Sequence, residues 1–498
     1  MTDATMIDAD PCGCAAKTGQ TRAQLSDRPL LGPAGASGNE FVPFPVNTHV
    51  HLPPNFSAFA DVADAVAVGV AEGVRAIGIS NFYDQHVYGR FAQQAVAAGI
   101  TPLYGLEFIT LDEDLERAGV QVNDPANPGR FYLCGKGVNP FRGSTPAERH
   151  TVEPTSQERQ SAETARAVSR SIRAGNDERA AEMVARVAAH LVAAGVLGTD
   201  ASAGGPGPAR TFPDESAGGT KARTFLDASA GGTEARTSPD APSPGGFSVA
   251  AIAAEVARRG GVPVEWVSLQ ERHIAMAIQE LLAELPLAER AAALERAYGR
   301  PSDVDIDDPV ALQGELRSRL LRAGSPGFAP EVPVGFQAAY DCVLAMDGIP
   351  CYPTLADGAT PVCGFEDPPD ALAAELLARG IHAAELIPIR NTVGVVDEYV
   401  DAFTRAGIIV MAGTEHNTVE RIPLDPACVD GPLSATAREA FWQGTCVVAA
   451  HQRLVADGEP GFVDASGART ARPVAELVAL GASLITSGPV HGSHPGPA

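Results

Sequence analysis

A chain of 498 residues, 45% of them hydrophobic, is long enough for two or three domains or for one barrel with insertions. Its 37 basic and 61 acidic residues leave a net charge of -24, which argues against duplex nucleic acid or an anionic membrane surface as the main partner. Residues 1–20 lack an apolar core behind basic residues, and no apolar run is long enough to span a bilayer, so a cytoplasmic protein is expected. The eight cysteines are too thinly spread for a secreted disulfide scaffold and are expected to be reduced thiols, mostly in the core.

Residues 1–38 lack periodicity and are rich in Gly, Ala, Asp and Pro, which predicts a mobile tail. Cys12-Gly13-Cys14 lies in this tail with no second pair at zinc-ribbon spacing. The fold is expected to occupy 39–198 and 248–484, followed by a second tail at 485–498. Between its two parts, 199–247 is low in complexity. There Ala209-Arg210-Thr211-Phe212 recurs as Ala222-Arg223-Thr224-Phe225 and Ala235-Arg236-Thr237-Ser238, at a spacing of 13. Units this polar cannot supply a core, so a disordered, tandemly expanded insertion is expected.

The first strand-like run, Phe41 to Thr48, ends in His49-Val50-His51 and a Pro53-Pro54 break. Side chains in a strand alternate between faces, so residues two apart put both imidazoles on one side, where zinc, iron or manganese accepts nitrogen ligands. Helix-like Ala58 to Gly73 then precedes the apolar run Arg75 to Ser80, and Gln85 to Ala98 precedes Thr101 to Ile109. This third run holds Glu107, an isolated carboxylate in apolar surroundings beside Gly105, and a candidate oxygen ligand. In Cys134-Gly135-Lys136-Gly137 a lysine stands after a strand, where it could bind an anion or act as a base, but the rest of a P-loop is absent.

Glu158 to Val196 and Val249 to Arg259 have helical character, and Ser268 to Ala275 starts a further helix carrying Arg272 and His273. His273 is a candidate ligand and Arg272 a candidate anion contact. The rhythm resumes with Phe336 to Met346 before Ile349 to Leu355, Pro369 to Arg379 before Ile381 to Ile389, and Val393 to Ala406 before Ile408 to Met411. Such alternation predicts a mostly parallel sheet, as a barrel or a doubly wound sheet, with reactive groups at strand C-termini. Gly413-Thr414-Glu415-His416-Asn417-Thr418 falls at such an end. It offers a carboxylate and an imidazole, although Asn417 or Thr418 also suits a helix cap.

Taken in order, Asn47-Thr48-His49-Val50-His51, Ala76-Ile77-Gly78-Ile79-Ser80-Asn81, Gly105-Leu106-Glu107, Arg272-His273-Ile274-Ala275 and Gly413-Thr414-Glu415 resemble the polymerase and histidinol phosphatase (PHP) superfamily of metal-dependent phosphoesterases. The resemblance spans most of 44–418 apart from the insertion. It implies an α/β fold, a distorted (β/α)7 TIM-like barrel, with His49, His51, Glu107 and Glu415 as metal ligands and His273 at a second position. It departs at Asn81-Phe82, where the family has Asp-His, and at Phe131 or Tyr132 and Pro353-Thr354-Leu355, where the family has histidines. The family's closing Asp-x-His reads Glu415-His416-Asn417. These losses dismantle a trinuclear cluster and leave one divalent ion, zinc, manganese or iron.

The expectation is therefore a metal-dependent hydrolase of a small anionic substrate, with Lys136, Arg272 and His416 in catalytic roles. A sugar-acid isomerase or lyase, or a non-catalytic binding module, remains open on the sequence. Oligomeric state is not legible.

Overall fold

The computed structural model describes residues 43–140, 156–198, 246–331 and 333–488. Most of both terminal tails and nearly all of the low-complexity tract, with Cys12, Cys14 and the 13-residue repeat, lie outside them.

Eight strands form one sheet: β1 Val46–Val50, β2 Ala76–Ile79, β3 Thr101–Leu111, β4 Arg130–Lys136, β5 Val334–Gly335, β6 Ile349–Thr354, β7 Ala383–Leu386 and β8 Ile409–Ala412. Seven of them run in the order β1-β2-β3-β4-β6-β7-β8, and the two-residue β5 pairs with β3 off that path. Contacts from β1 to the segment after β8 nearly close the ring: Thr414 and Glu415 N–H donate to the His49 carbonyl, and His51 N–H donates to the Glu415 carbonyl. The result is a distorted TIM-like barrel. Gly413 is required at the seam, because a Cβ there would stand 2.3 Å from the His49 Cβ.

Most pairs are parallel, but β4 runs antiparallel to both β3 and β6. The reason lies in the connection. Its helix, Glu113–Arg117, is five residues long and buries none of them, so it cannot pack on the sheet as a crossover. Instead Asp112 N–H bonds the Gly129 carbonyl, and the chain folds straight back so that Leu111 pairs with Arg130. Gly105 allows this close return, since a Cβ there would meet the Gly135 carbonyl oxygen at 2.7 Å.

The two barrel ends differ. Val46, Ala76, Leu103, Ile349, Ala383 and Ile409, all at or near strand starts, pack with Trp442, Cys446 and Val447 of helix Ala435–Ala456. Gln452 ties this helix to β3 through Tyr104 N–H and the Pro102 carbonyl. An apolar plug therefore closes the N-terminal end, and polar groups gather at the other. The six described cysteines are buried thiols outside any disulfide. Among the described residues no helix is long and apolar enough to cross a membrane.

Candidate metal centre

His49 in β1 and His51 just after it point into the barrel mouth from one face of the strand, as their spacing requires, and Glu107 of β3 meets them there. The Nε2 atoms of the two imidazoles are 3.3 Å apart, and Glu107 Oε2 lies 3.5 Å from His49 Nε2 and 3.3 Å from His51 Nε2. Three donors around one ion with bonds of about 2.1 Å in tetrahedral array stand about 3.4 Å apart. The triangle thus has the size of one face of a metal tetrahedron. All three side chains are buried, and Glu107 Oε2 has no hydrogen-bond partner among the described residues.

The electrostatics suit a cation. Burial opposes a charged Glu107, yet the two histidines outweigh it and hold the carboxyl down at about 2. Burial pushes His51 below its ordinary value, which keeps its nitrogen lone pair free, and Phe82 stacks on its ring at 4.9 Å. For His49 burial again opposes charge, but Glu385 and Glu107 prevail and raise it to about 9, so an incoming ion must displace a proton there. Glu385 of β7 takes the His49 Nδ1–H at 2.6 Å and is itself held down at about 2, against burial, by Lys136 and His49. A carboxylate that orients a histidine in this way fixes the tautomer that leaves Nε2 facing the ion.

The remaining sequence candidates are distributed around this centre. Lys136 is buried, its ammonium spent on Glu385 Oε2 at 2.7 Å, Ser80 Oγ at 3.0 Å and the Thr48 carbonyl at 3.1 Å. Glu415 and His416 both adopt left-handed backbone, with φ of 58° and 52°. The Glu415 carboxylate pairs with Arg390 and accepts from Asn417 Nδ2, outside the triangle. His416 shares a hydrogen bond with Thr414 Oγ1 at 2.7 Å and donates to the Ile422 carbonyl at 2.9 Å, with its ring stacked on Phe59. His273 accepts the Gln270 N–H through Nδ1 and closes a helix cap, while burial drives it down to about 3. The structure thus brings His49, His51 and Glu107 together and sets Glu415 beside them, with His273 and His416 engaged elsewhere.

Arg272 stands apart from these paired groups. It makes no hydrogen bond or ion pair among the described residues. Burial and the like charge of Arg317 lower it to about 9, although the Glu415 charge works the other way.

No protein-family model matches the chain, and no curated protein matches it. Solved structures similar to it include two hydrolase-like proteins. One is an amidohydrolase from Chromobacterium violaceum with bound sulfate and no metal, at 13% identity over 77% of this chain and 93% of that one, TM-score 0.42. The other, from Bifidobacterium adolescentis and provisionally named a metal-dependent phosphoesterase, is 13% identical over 80% of this chain and 95% of that one, TM-score 0.44. Likeness this slight carries neither a residue role nor a substrate across.

Sequence reading missed Glu385 and Arg390. Glu385 gave the same signal as Glu107, an isolated carboxylate in the apolar run Ala383 to Ile387. Arg390, in a short 3-10 turn after β7, gave none, because its importance comes from Glu415, 25 residues away in sequence.

Proposed function

We propose that the chain is a single-metal hydrolase of PHP type acting on a small anionic substrate such as a phosphoester. The observation that carries this reading is the triangle of His49 Nε2, His51 Nε2 and Glu107 Oε2, buried and sized for one ion. A divalent ion held there supplies Lewis-acid polarisation of a substrate oxygen and acidifies a water.

The positions where the PHP resemblance fails support one ion rather than three. Asn81 clamps the Leu52 backbone with two hydrogen bonds, and Phe82 stacks on His51. Phe131 packs among Phe336, Tyr352 and Phe365. These side chains brace the site and offer no ligand atoms. Arg272 supplies the anion contact: an arginine with no partner among the described residues, beside like charges, is stabilised by an incoming phosphate or carboxylate. Glu415 is a rim carboxylate oriented by Arg390 and Asn417, with its charge felt by both His51 and Arg272.

Metal content per chain, measured on wild type and His51→Ala, tests the reading. About one equivalent in wild type, lost in the variant, with turnover of a phosphoester panel restored by added zinc or manganese, is the expected result. Wild type without bound metal overturns the hydrolase, and two or three equivalents overturn the single-metal form.

A further inference from the structure

Behind the triangle, on the side facing the barrel interior, lies a second group of potential ligands: His49, Cys134 and Glu385, all buried and within 4.8 Å of one another. Its geometry differs from the first. His49 Nδ1 and Glu385 Oε1 are 2.6 Å apart, a hydrogen bond rather than the wider separation of two donors on one ion. Cys134 Sγ lies 3.4 Å from the same oxygen. The other carboxylate oxygen, Oε2, faces the Lys136 ammonium at 2.7 Å.

We propose that Lys136 is a built-in cation at the place where a second metal ion would otherwise be drawn. It limits the barrel to one ion and acts through Glu385 as the positioning residue that presents His49 Nε2. The inference rests on the single-metal reading above.

Three observations carry it. The ammonium is surrounded by oxygen as a small cation would be, with Glu385 Oε2, Ser80 Oγ and the Thr48 carbonyl each within 3.1 Å, and these three acceptors use all of its N–H groups. Glu385 is fully buried, and a buried carboxylate needs a cation beside it, which a tethered lysine provides whatever the metal supply. Finally, Lys17, Lys136 and Lys221 are the only lysines among the 37 basic residues, all the others being arginine. At this one described point the chain uses the compact, point-like ammonium instead of the planar guanidinium that does not fit a three-oxygen cage. Without it, Glu385 and Cys134, together with Cys351, which is paired in register with Cys134 across β4 and β6, would line the freed space with the donor set of a soft divalent ion.

The experiment is a Co2+ titration of the full chain, followed by bound metal per chain and by the thiolate-to-cobalt absorption band, for wild type, Lys136→Met and Lys136→Met with Glu385→Gln. Wild type is expected to bind one equivalent without the band, and Lys136→Met two equivalents with it. The double variant removes both charges at nearly constant volume and should bind one equivalent, roughly tenfold to a hundredfold more weakly, as loss of an orienting partner does.

Lys136→Met that binds one equivalent at wild-type affinity without the band overturns the proposal. If circular dichroism shows Lys136→Met unfolded, the double variant decides, and unchanged Co2+ affinity there overturns the positioning role. Two equivalents in wild type overturn the built-in cation and leave the metal centre standing. No Co2+ in wild type overturns both.

Discussion

The deep side of the site and its mouth treat buried charge in opposite ways. On the deep side the Glu385 carboxylate takes hydrogen bonds from His49, Lys136 and Thr48, and Lys136 uses every N–H it has. At the mouth Glu107 Oε2 and His51 Nδ1 lack hydrogen-bond partners, and Arg272 lacks an ion pair, among the described residues. A charge with every hydrogen bond made fixes geometry and is costly to disturb, whereas a carboxylate that faces only two imidazoles, at 3.3 and 3.5 Å, still has lone pairs for a ligand that arrives later. The same β1 strand serves both purposes, with Thr48 and His49 Nδ1 turned to the paired side and His49 Nε2 and His51 turned to the open one.

The comparison breaks most visibly at Lys136. Lys136→Met strands the Glu385 charge and is expected to lower unfolding free energy by about 3–5 kcal/mol in urea, and adding Glu385→Gln should recover most of that loss. Equal stability of the single and double variants would mean that the deep side is not held by charge pairing.

A pH series sharpens the comparison. The proton on metal-free His49 is held by carboxylates, which raise the group from 6.5 to about 9. A raised folded value means stability fully present below 6.5 and lost as the pH climbs through 9, on the order of 3 kcal/mol in all. Metal affinity runs the other way, rising roughly tenfold per unit of pH up to about 9 because binding displaces that proton. Thermal melts of metal-free protein and zinc titrations between pH 6 and 9 should show these opposite slopes, and parallel slopes would exclude His49 as the proton that metal displaces.

Arg272→Met has the smallest expected effect on the fold and a selective one on binding. Stability should stay level or rise, since a half-buried charge with no partner among the described residues is removed, while affinity for inorganic phosphate should fall roughly tenfold to a hundredfold, the worth of a charge-assisted hydrogen bond. Unchanged phosphate binding would remove Arg272 from the substrate contacts.

Much of the barrel was legible because its signals are local. The runs Arg75 to Ser80, Ile349 to Leu355 and Ile408 to Met411 each fall on a strand within a residue or two, since short apolar stretches bounded by Gly or polar residues have little else to form. The antiparallel course of β4 was not legible. It depends on the Glu113–Arg117 helix burying nothing, a tertiary property. Glu107 announced itself as an isolated carboxylate, but the same pattern at Glu385 went unread, and nothing in either run tells which carboxylate faces an ion and which a lysine.

The sequence by itself determined that His49 and His51 share one face at the end of a strand, because strand periodicity is a property of the backbone. It also determined that strands alternate with helices and place polar residues at strand ends. Only the tertiary structure decided that Glu107 completes the triangle, that Glu415 turns to Arg390, and that Lys136 stands against Glu385 across 249 residues of chain. Each of these depends on how the ring of strands closes and on which buried charges it brings face to face, and both are settled by contacts between segments distant in sequence.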